Sequence, residues 1–213
     1  MYTVMMDGYT IHDLRADGLA LESPVLVQED NLAASFKFTI RPSHPRYLFL
    51  RRLSSVVEVF RDGVRLFRGR PIKDDRGWEN EKEVLCEGEL AFLNDSVQRP
   101  YRFNGSVEEY LTLLIDTHNG QMPAEKQFAL RDVTVTDPND YITRASSDYP
   151  SVFRELQDKL VKLLGGHIVL ERVGGVTYMD YLDDIPYESL QTIEFGVNLL
   201  DFSEAVRADE IAT

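Results

Sequence analysis

The sequence of 213 residues predicts an α+β fold that is mostly β: a barrel-like antiparallel β domain followed by a smaller α+β domain with two helices. Up to about residue 97, short segments of alternating apolar residues are separated by Asp-Gly turns, which is typical of a barrel or sandwich. Beyond Pro100, two segments repeat their apolar residues at helical spacing instead. We therefore divide the chain into residues 1–97, residues 98–188, and a return segment, residues 189–213, that leads toward a β domain truncated at the end of the chain.

Four segments of the first domain have the alternation of β-strands. The clearest hairpin has Asp62-Gly63 at its turn, because a two-residue turn with positive φ at both central residues matches the twist of paired strands. Asp7-Gly8 and Asp17-Gly18 are further turn signals. The predicted strands lie at residues 35–40, 56–60, 64–67 and 83–88.

The second domain begins with a capped helix. Ser106 and Glu109 form a capping box, in which the serine oxygen accepts from the Glu109 amide while the glutamate reaches back, and Gly120 closes the helix. We predict helices at residues 107–119 and 151–164. The apolar stripe of the second helix consists of Val152, Phe153, Leu156, Leu160, Val161 and Leu164. Strands are predicted at 133–136 and 191–195, and a hairpin at 167–172 and 176–181 around Gly174-Gly175.

The net charge of −13 argues against direct binding of nucleic acid, which needs clustered basic residues. The basic clusters are Arg51-Arg52 and the set Arg65, Arg68 and Arg70, which we interpret as a solvated strand face. The N-terminus lacks the basic and apolar regions of a signal peptide, and no apolar run approaches the ~20 residues that span a bilayer. We therefore expect synthesis in the cytoplasm and no membrane insertion.

No catalytic residue, cofactor site or metal site can be assigned from the residues. The histidines His12, His44, His118 and His167 lie far apart in the sequence, and no metal-ligand spacing is present. His118 ends the first helix, where we expect it to cap the helix or to be solvated. Cys86 lies in an apolar run, which predicts a buried, inert thiol.

Three further sets of residues allow a functional and a structural interpretation. Asp180, Asp183 and Asp184 could bind Ca²⁺ or Mg²⁺, but a solvated loop is the better interpretation. Asp137, Asn139 and Asp140 have the pattern of a turn around Pro138. Tyr178 and Tyr181, on opposite faces of a strand, could contribute to a carbohydrate platform, but strand packing is favoured.

Seven short motifs follow one another in a fixed order from residue 85 onward. They lie at residues 85–96, 99–101, 118–121, 133–141, 163–168, 178–182 and 193–201. In order and spacing, over residues 56–213, they resemble the N-terminal region of phage minor structural proteins. That family includes tail-associated lysins and prophage endopeptidase tail proteins. The first fifty residues match it only in general character.

The resemblance implies a fold similar to the baseplate hub of contractile-tailed phages. In such hubs, barrel-like β domains with an α+β insertion assemble as a homotrimer around the tail axis, against the tail-tube or distal tail protein. A variable C-terminal region, sometimes a peptidase or lysin, lies on the other side, and we expect the present chain to end before it. The resemblance therefore implies a non-enzymatic structural component of the virion tail tip, trimeric in the full-length protein and made in the host cytoplasm.

Two other functions stay open at this point. One is a carbohydrate- or receptor-binding module, which exposed aromatic faces would favour. The other is a cell-wall hydrolase, which would need a nucleophile or a set of metal ligands.

Overall fold

The first part of the chain forms one curled antiparallel sheet. The computed structural model describes residues 1–185, so the predicted return segment at 189–213, with its strand at 191–195, lies outside the described residues. The sheet has the order β2-β1-β5-β6-β7-β4-β3 and closes halfway into a barrel, with β2 and β3 as its edges. Its strands are β1 (Tyr2–Met6), β2 (Tyr9–His12), β3 (Glu22–Val27), β4 (Ser35–Ile40), β5 (Val57–Arg61), β6 (Val64–Arg76) and β7 (Lys82–Gly88). The prediction of a mostly β protein with a barrel-like sheet is confirmed.

The hairpin turns have the geometry that their Asp-Gly pairs predict. Asp62 and Gly63, between β5 and β6, have φ values of 52° and 83°. Asp7 and Gly8, between β1 and β2, have φ values of 51° and 81°. Because both central residues have positive φ, these turns follow the right-handed twist of the strands they connect.

The inner face of the sheet forms a first apolar core. Phe36 and Phe38 of β4 face Val57 and Val59 of β5 across it, and all are buried. Cys86 of β7 belongs to the same cluster, and burial raises the pKa of its thiol to about 12. The thiolate is therefore strongly disfavoured, which confirms the prediction of an inert thiol.

The following residues form a second unit of helices and short strands. Strand β8 (Tyr101–Gly105) pairs with β10 (Ile142–Ser146), and a three-stranded sheet has the order β11-β12-β9. Its strands are β9 (Phe128–Val133), β11 (His167–Val173) and β12 (Val176–Leu182). The helices are α1 (Val107–Asn119), α2 (Val152–Leu156) and α3 (Lys162–Leu164), with π-helical turns at Gln157–Val161 and 3-10 helices at Tyr47–Phe49, Glu89–Asp95 and Ala124–Lys126.

Local signals place both helical segments correctly. The capping box is present in full: the Ser106 hydroxyl accepts from the Glu109 amide at 3.1 Å, and the Glu109 carboxylate accepts from the Ser106 amide at 2.9 Å. The second segment starts at Ser151, whose hydroxyl accepts from the Arg154 amide at 3.2 Å. It continues through the π-helical turns to Leu164, as predicted, although its middle is wider than an α-helix.

The strand predicted at residues 133–136 is displaced toward the N-terminus. The observed β9 runs through Phe128–Val133 and pairs in parallel with β12. Its residues do not alternate in polarity, so the pairing with β12 overrides the weak local pattern. Beyond it, Thr134 continues the contact: its amide donates to the Tyr181 carbonyl at 2.9 Å, and its hydroxyl accepts from the Asp183 amide at 2.9 Å.

A second apolar core lies between the helices and the β11-β12-β9 sheet. Leu114 of α1 and Leu160 of the second helical segment are fully buried in it, together with Met179 and Tyr181 of β12. Leu93, from the 3-10 helix at Glu89–Asp95, belongs to this second core and not to the first. The chain therefore enters the second core before its predicted helices begin.

Three of the four histidines are buried and act as neutral hydrogen-bonding groups. His118 Nε2 donates to the Lys126 carbonyl at 2.9 Å, so its Nδ1 accepts from the Ser96 hydroxyl at 2.8 Å. His12 Nδ1 accepts from the Leu21 amide at 3.0 Å. The expectation of a capping or solvated His118 is wrong, because the ring points into the second core and the chain after α1 folds over it.

Charged side chains at the centre of the second core should destabilise it strongly. We expect Leu114→Asp and Leu160→Asp each to lower the free energy of unfolding by about 3 kcal/mol or more, because each buries an unpaired carboxylate. Leu163→Asp, at an exposed position of the same helical segment, is the matched control and should change stability little. Urea unfolding followed by circular dichroism measures all three, and unchanged midpoints for the first two would refute their place in the core.

Acid should weaken the fold through the buried histidines. Burial is the main cause that lowers the pKa of His12, His44 and His118. Since the unfolded chain then binds more protons, their contribution to stability is present above about pH 6.5 and is lost as the pH falls through the lowered pKa values.

The pH dependence of unfolding tests the role of His118. Between pH 7.5 and pH 5.5, urea unfolding should show a shallower loss of stability for His118→Asn than for the wild type. Ser96→Ala removes the hydrogen-bond partner but no titrating group, so it should keep the wild-type slope. Equal slopes for wild type and His118→Asn would contradict the neutral, buried state of this ring.

Candidate functional site

The two cores are joined by a polar seam around Glu89. The Glu89 carboxylate, whose side chain is 10% exposed, is ion-paired with Arg68 of β6. It also accepts from Arg172 Nη1 of β11 at 3.4 Å and from the Thr177 hydroxyl of β12 at 3.2 Å. Arg172 Nη1 donates to the Thr177 hydroxyl at 2.6 Å. Glu89 therefore links the half-barrel to the β11–β12 hairpin.

The arginines of β6 lie in or beside this seam. The side chains of Arg68 and Arg70 are only 12% and 8% exposed, so their interpretation as a solvated strand face is wrong. The reason is that the 3-10 helix at Glu89–Asp95 and the β11–β12 hairpin cover this face of β6. Arg65, which is partly exposed, donates to the Arg172 carbonyl at 3.3 Å.

Arg70 extends the network of ion pairs to Asp95 and, through it, to Lys126. It pairs with Glu87 at 2.6 Å and donates to Asp95 at 2.8 Å. Lys126 reaches the same Asp95 at 2.9 Å. The hydrogen bond from Arg70 is the largest cause that lowers the pKa of the Asp95 carboxyl. The seam therefore pairs its carboxylates with arginine or lysine.

Asn31 makes a second crossing between the cores. Its side-chain amide donates to the Gly166 carbonyl at 2.8 Å, and its side-chain oxygen accepts from the Ile168 amide at 2.7 Å. Its backbone carbonyl accepts from Gln157 at 2.6 Å. Asn31 has a φ of 58°, a conformation that asparagine tolerates better than most residues. Sequence reasoning missed the roles of both Asn31 and Glu89, because their partners in the second unit lie 83 or more residues away.

A cleft of about 440 Å³ lies above the seam. Its walls come from both units and include Glu29, Leu66 and Glu89 on one side and Leu170 and Arg172 on the other. Burial, together with the neighbouring guanidinium groups of Arg68 and Arg65, lowers the pKa of Arg172. Acidic and basic side chains both line this cleft, and their charges balance. This arrangement favours contact between the two units.

The contact between Ser96 and His118 resembles a nucleophile and its base, but it is closed to substrates. The Ser96 hydroxyl and His118 Nδ1 are 2.8 Å apart. Both residues have no exposed surface, and their remaining polar contacts go to backbone carbonyls. The pair therefore holds the second core together. His12 and His44 lie in the other unit, and the partly exposed His167 meets Asp30 at 2.8 Å, so the four histidines do not converge.

The acidic set at the end of β12 does not form a cation site. Asp180 is buried on the strand and accepts two hydrogen bonds from Arg131, at 2.9 and 2.6 Å, so its placement in a solvated loop is wrong. Asp183 and Asp184 are exposed beyond the strand, as expected. Among residues 1–185, no cluster of three or more His, Cys, Asp or Glu side chains could hold a metal ion.

The other two sets have their structural roles. Asp137 accepts from the amides of Asn139 and Tyr141, both at 3.0 Å, which confirms the turn. Tyr181 is fully buried and donates to the Gly165 carbonyl at 2.6 Å, while Tyr178 lies 5.6 Å from the Arg131 guanidinium. Tyr181 therefore packs in the second core and Tyr178 packs beside Arg131, in line with the favoured interpretation of strand packing. None of the helices within residues 1–185 is both long and apolar enough to cross a lipid bilayer.

The fold is shared with solved phage tail proteins. No protein-family model matches the chain, and no curated protein matches it. The prophage tail protein gp18 from Listeria monocytogenes has a TM-score of 0.51 and 14% identity, and the tail protein from Neisseria meningitidis MC58 has a TM-score of 0.51 and 20% identity. Each match covers 84% of this chain and 50% of the solved chain, so the present chain spans about half the length of these proteins. At these identities, the chain has the fold found in these two tail proteins.

Proposed function

We propose that the chain is a structural component of a phage or prophage tail tip, the part of a baseplate hub that caps the tail tube. The observation that carries the proposal is the fold that 84% of the chain shares with two tail proteins, one of them from a prophage. The ordered sequence motifs, which resemble phage minor structural proteins, support it independently. The full-length protein would carry a C-terminal tip device after this part.

The contacts of the seam suit such a mechanical role. Force on a tail tip must pass through the hub without separating its parts. Glu89 and Asn31 connect the half-barrel to the second unit through buried, charged and backbone hydrogen bonds. Charge-assisted hydrogen bonds of this kind are stronger and more directional than neutral ones. The seam would therefore fix the orientation of the two units relative to each other.

The proposal includes the arrangement of partners. The full-length protein would be a homotrimer, whose copies close a ring by head-to-tail contacts, with the tail-tube or distal tail protein against one side. The division into residues 1–97, 98–188 and 189–213 would correspond to a hub β domain, an inserted α+β domain and a return to a further β domain. The chain of 213 residues alone would be monomeric or weakly associated.

We propose no enzymatic activity and no direct DNA binding for this chain. The one serine–histidine pair described above is sealed inside the second core, so it offers no support for a cell-wall hydrolase. The Tyr178 and Tyr181 rings pack within the strand layer, so the carbohydrate-binding alternative receives no support from them. The charge of −13 would repel phosphate backbones.

Deletion of the gene in a strain that produces the phage tests the proposal. We expect the deletion to abolish infectious or contractile particles, and wild-type protein supplied from a plasmid to restore them and to copurify with tails. Leu163→Asp, at an exposed site, is the control that should also restore them, whereas the destabilised Leu160→Asp should restore them poorly. Normal tails in the deletion strain, or protein that never copurifies with them, would refute a structural role.

A further inference from the structure

The hairpin between β6 and β7 ends in a fully exposed tryptophan. Trp78 is the only tryptophan of the chain, and its relative exposure is 101%. The turn that carries it is well held: the Gly77 amide donates to the Glu81 carbonyl at 2.9 Å, and the Asn80 amide donates to the Gly77 carbonyl at 3.0 Å. A large aromatic side chain presented on a fixed turn is typical of an anchor in a protein interface.

Other exposed apolar residues lie at the same end of the sheet. Two hydrogen bonds attach the 3-10 helix at Tyr47–Phe49 to the hairpin. The Tyr47 hydroxyl donates to the Asn80 carbonyl, and the Tyr47 backbone carbonyl accepts from Lys82 Nζ at 2.9 Å. In that helix Leu48 is 83% exposed and Phe49 is also exposed. We call Trp78, Leu48 and Phe49 the knob.

An apolar groove lies on the open side of the half-barrel, between its edge strands. Its volume is about 720 Å³, within the range of roughly 300–1,000 Å³ that ligand pockets have. It is bordered by Tyr2 of β1, Leu14 after β2, Leu26 of β3, Phe36 of β4 and Leu66 of β6. Leu14 is 73% exposed there. We call this site the groove.

The knob of one chain does not occupy its own groove. Trp78 is fully exposed, and none of the three knob residues borders the groove. The knob is therefore available to the groove of another copy.

We propose that the Trp78 knob of one copy inserts into the groove of a second copy of this chain. Charge at the two sites is complementary, since Glu79 stands next to Trp78 and Arg61 lines the groove, both at the surface. Glu79 also pairs with Arg41 at 3.0 Å, but an exposed pair of this kind is exchanged at little cost. The contact is head-to-tail, which is the type that closes rings.

This contact would be the interface between neighbouring copies in the trimer proposed above. It rests on that proposal only for the number of copies in the ring. A hairpin tip in a groove buries less than the roughly 1,600 Å² of a standard interface, so the isolated pair should be weak, with a Kd on the order of 100 µM. This agrees with a chain of 213 residues that is monomeric when dilute.

The single tryptophan makes the contact measurable. Wild-type chain, kept dilute, is the fluorescent reporter, and Trp78→Ala chain, which has the groove but no indole, is the titrant. Excitation at the red edge of indole absorption avoids the tyrosines. We expect the Trp78 emission to shift to the blue and to saturate, because the indole leaves water.

Matched titrants locate the contact. Trp78→Ala combined with Leu14→Asp places a charge in the groove and should cause no shift. Trp78→Ala combined with Leu163→Asp, at an exposed site away from the groove, should act like Trp78→Ala alone. Circular dichroism and melting of each variant establish that it is folded. No shift at millimolar titrant, or an equal shift with the Leu14→Asp titrant, would overturn the proposal.

The same variants separate this inference from the hub itself. If the full-length protein is a trimer that Trp78→Ala and Leu14→Asp leave intact, the hub stands and the knob-in-groove contact is refuted. If the titration behaves as expected but the protein does not copurify with tails, the contact stands and the hub is refuted.

Discussion

The ion pairs of Glu89 with Arg68 and Arg172 set how the two cores of this protein sit against each other. A carboxylate removed from water needs its partners, since loss of one leaves an uncompensated buried charge at a cost of about 3–5 kcal/mol. The half-barrel supplies Arg68, and the β11–β12 hairpin supplies Arg172 and Thr177, so Glu89 is fully satisfied only when the units are docked. Asn31 adds a second, uncharged crossing with backbone groups.

Features that depend on near neighbours could be predicted from the sequence. The Asp62-Gly63 turn and the Ser106–Glu109 capping box are local, because the residues that satisfy them lie within a few positions. The hairpin around Gly174-Gly175 is local for the same reason. These signals were sufficient for the fold class and for both helical segments.

Features that depend on distant partners could not be predicted. Arg70, His118 and Asp180 were each expected at the surface, and each is buried against a partner that sequence position does not reveal. Asp180 meets Arg131, 49 residues before it. Its neighbours Asp183 and Asp184 look the same in the sequence, yet they are exposed. The seam escaped prediction for this reason, since an isolated Glu or Asn has no pattern to mark it.

The protein combines a fold shared with two tail proteins and two apolar surfaces that are open within residues 1–185. The shared fold supports the proposed hub, and the knob and groove support the proposed head-to-tail assembly. In this account the buried groups maintain the shape of the hub, and the exposed apolar groups connect it to further copies.

The most direct test is a cryo-electron microscopy reconstruction of tails from the phage that encodes this chain. The account predicts three copies of the half-barrel around the axis at one end of the tail, with the β11–β12 hairpin docked on β6 in each copy. Density for the chain along the whole tube, in a number other than three, or absent from the tail would contradict it.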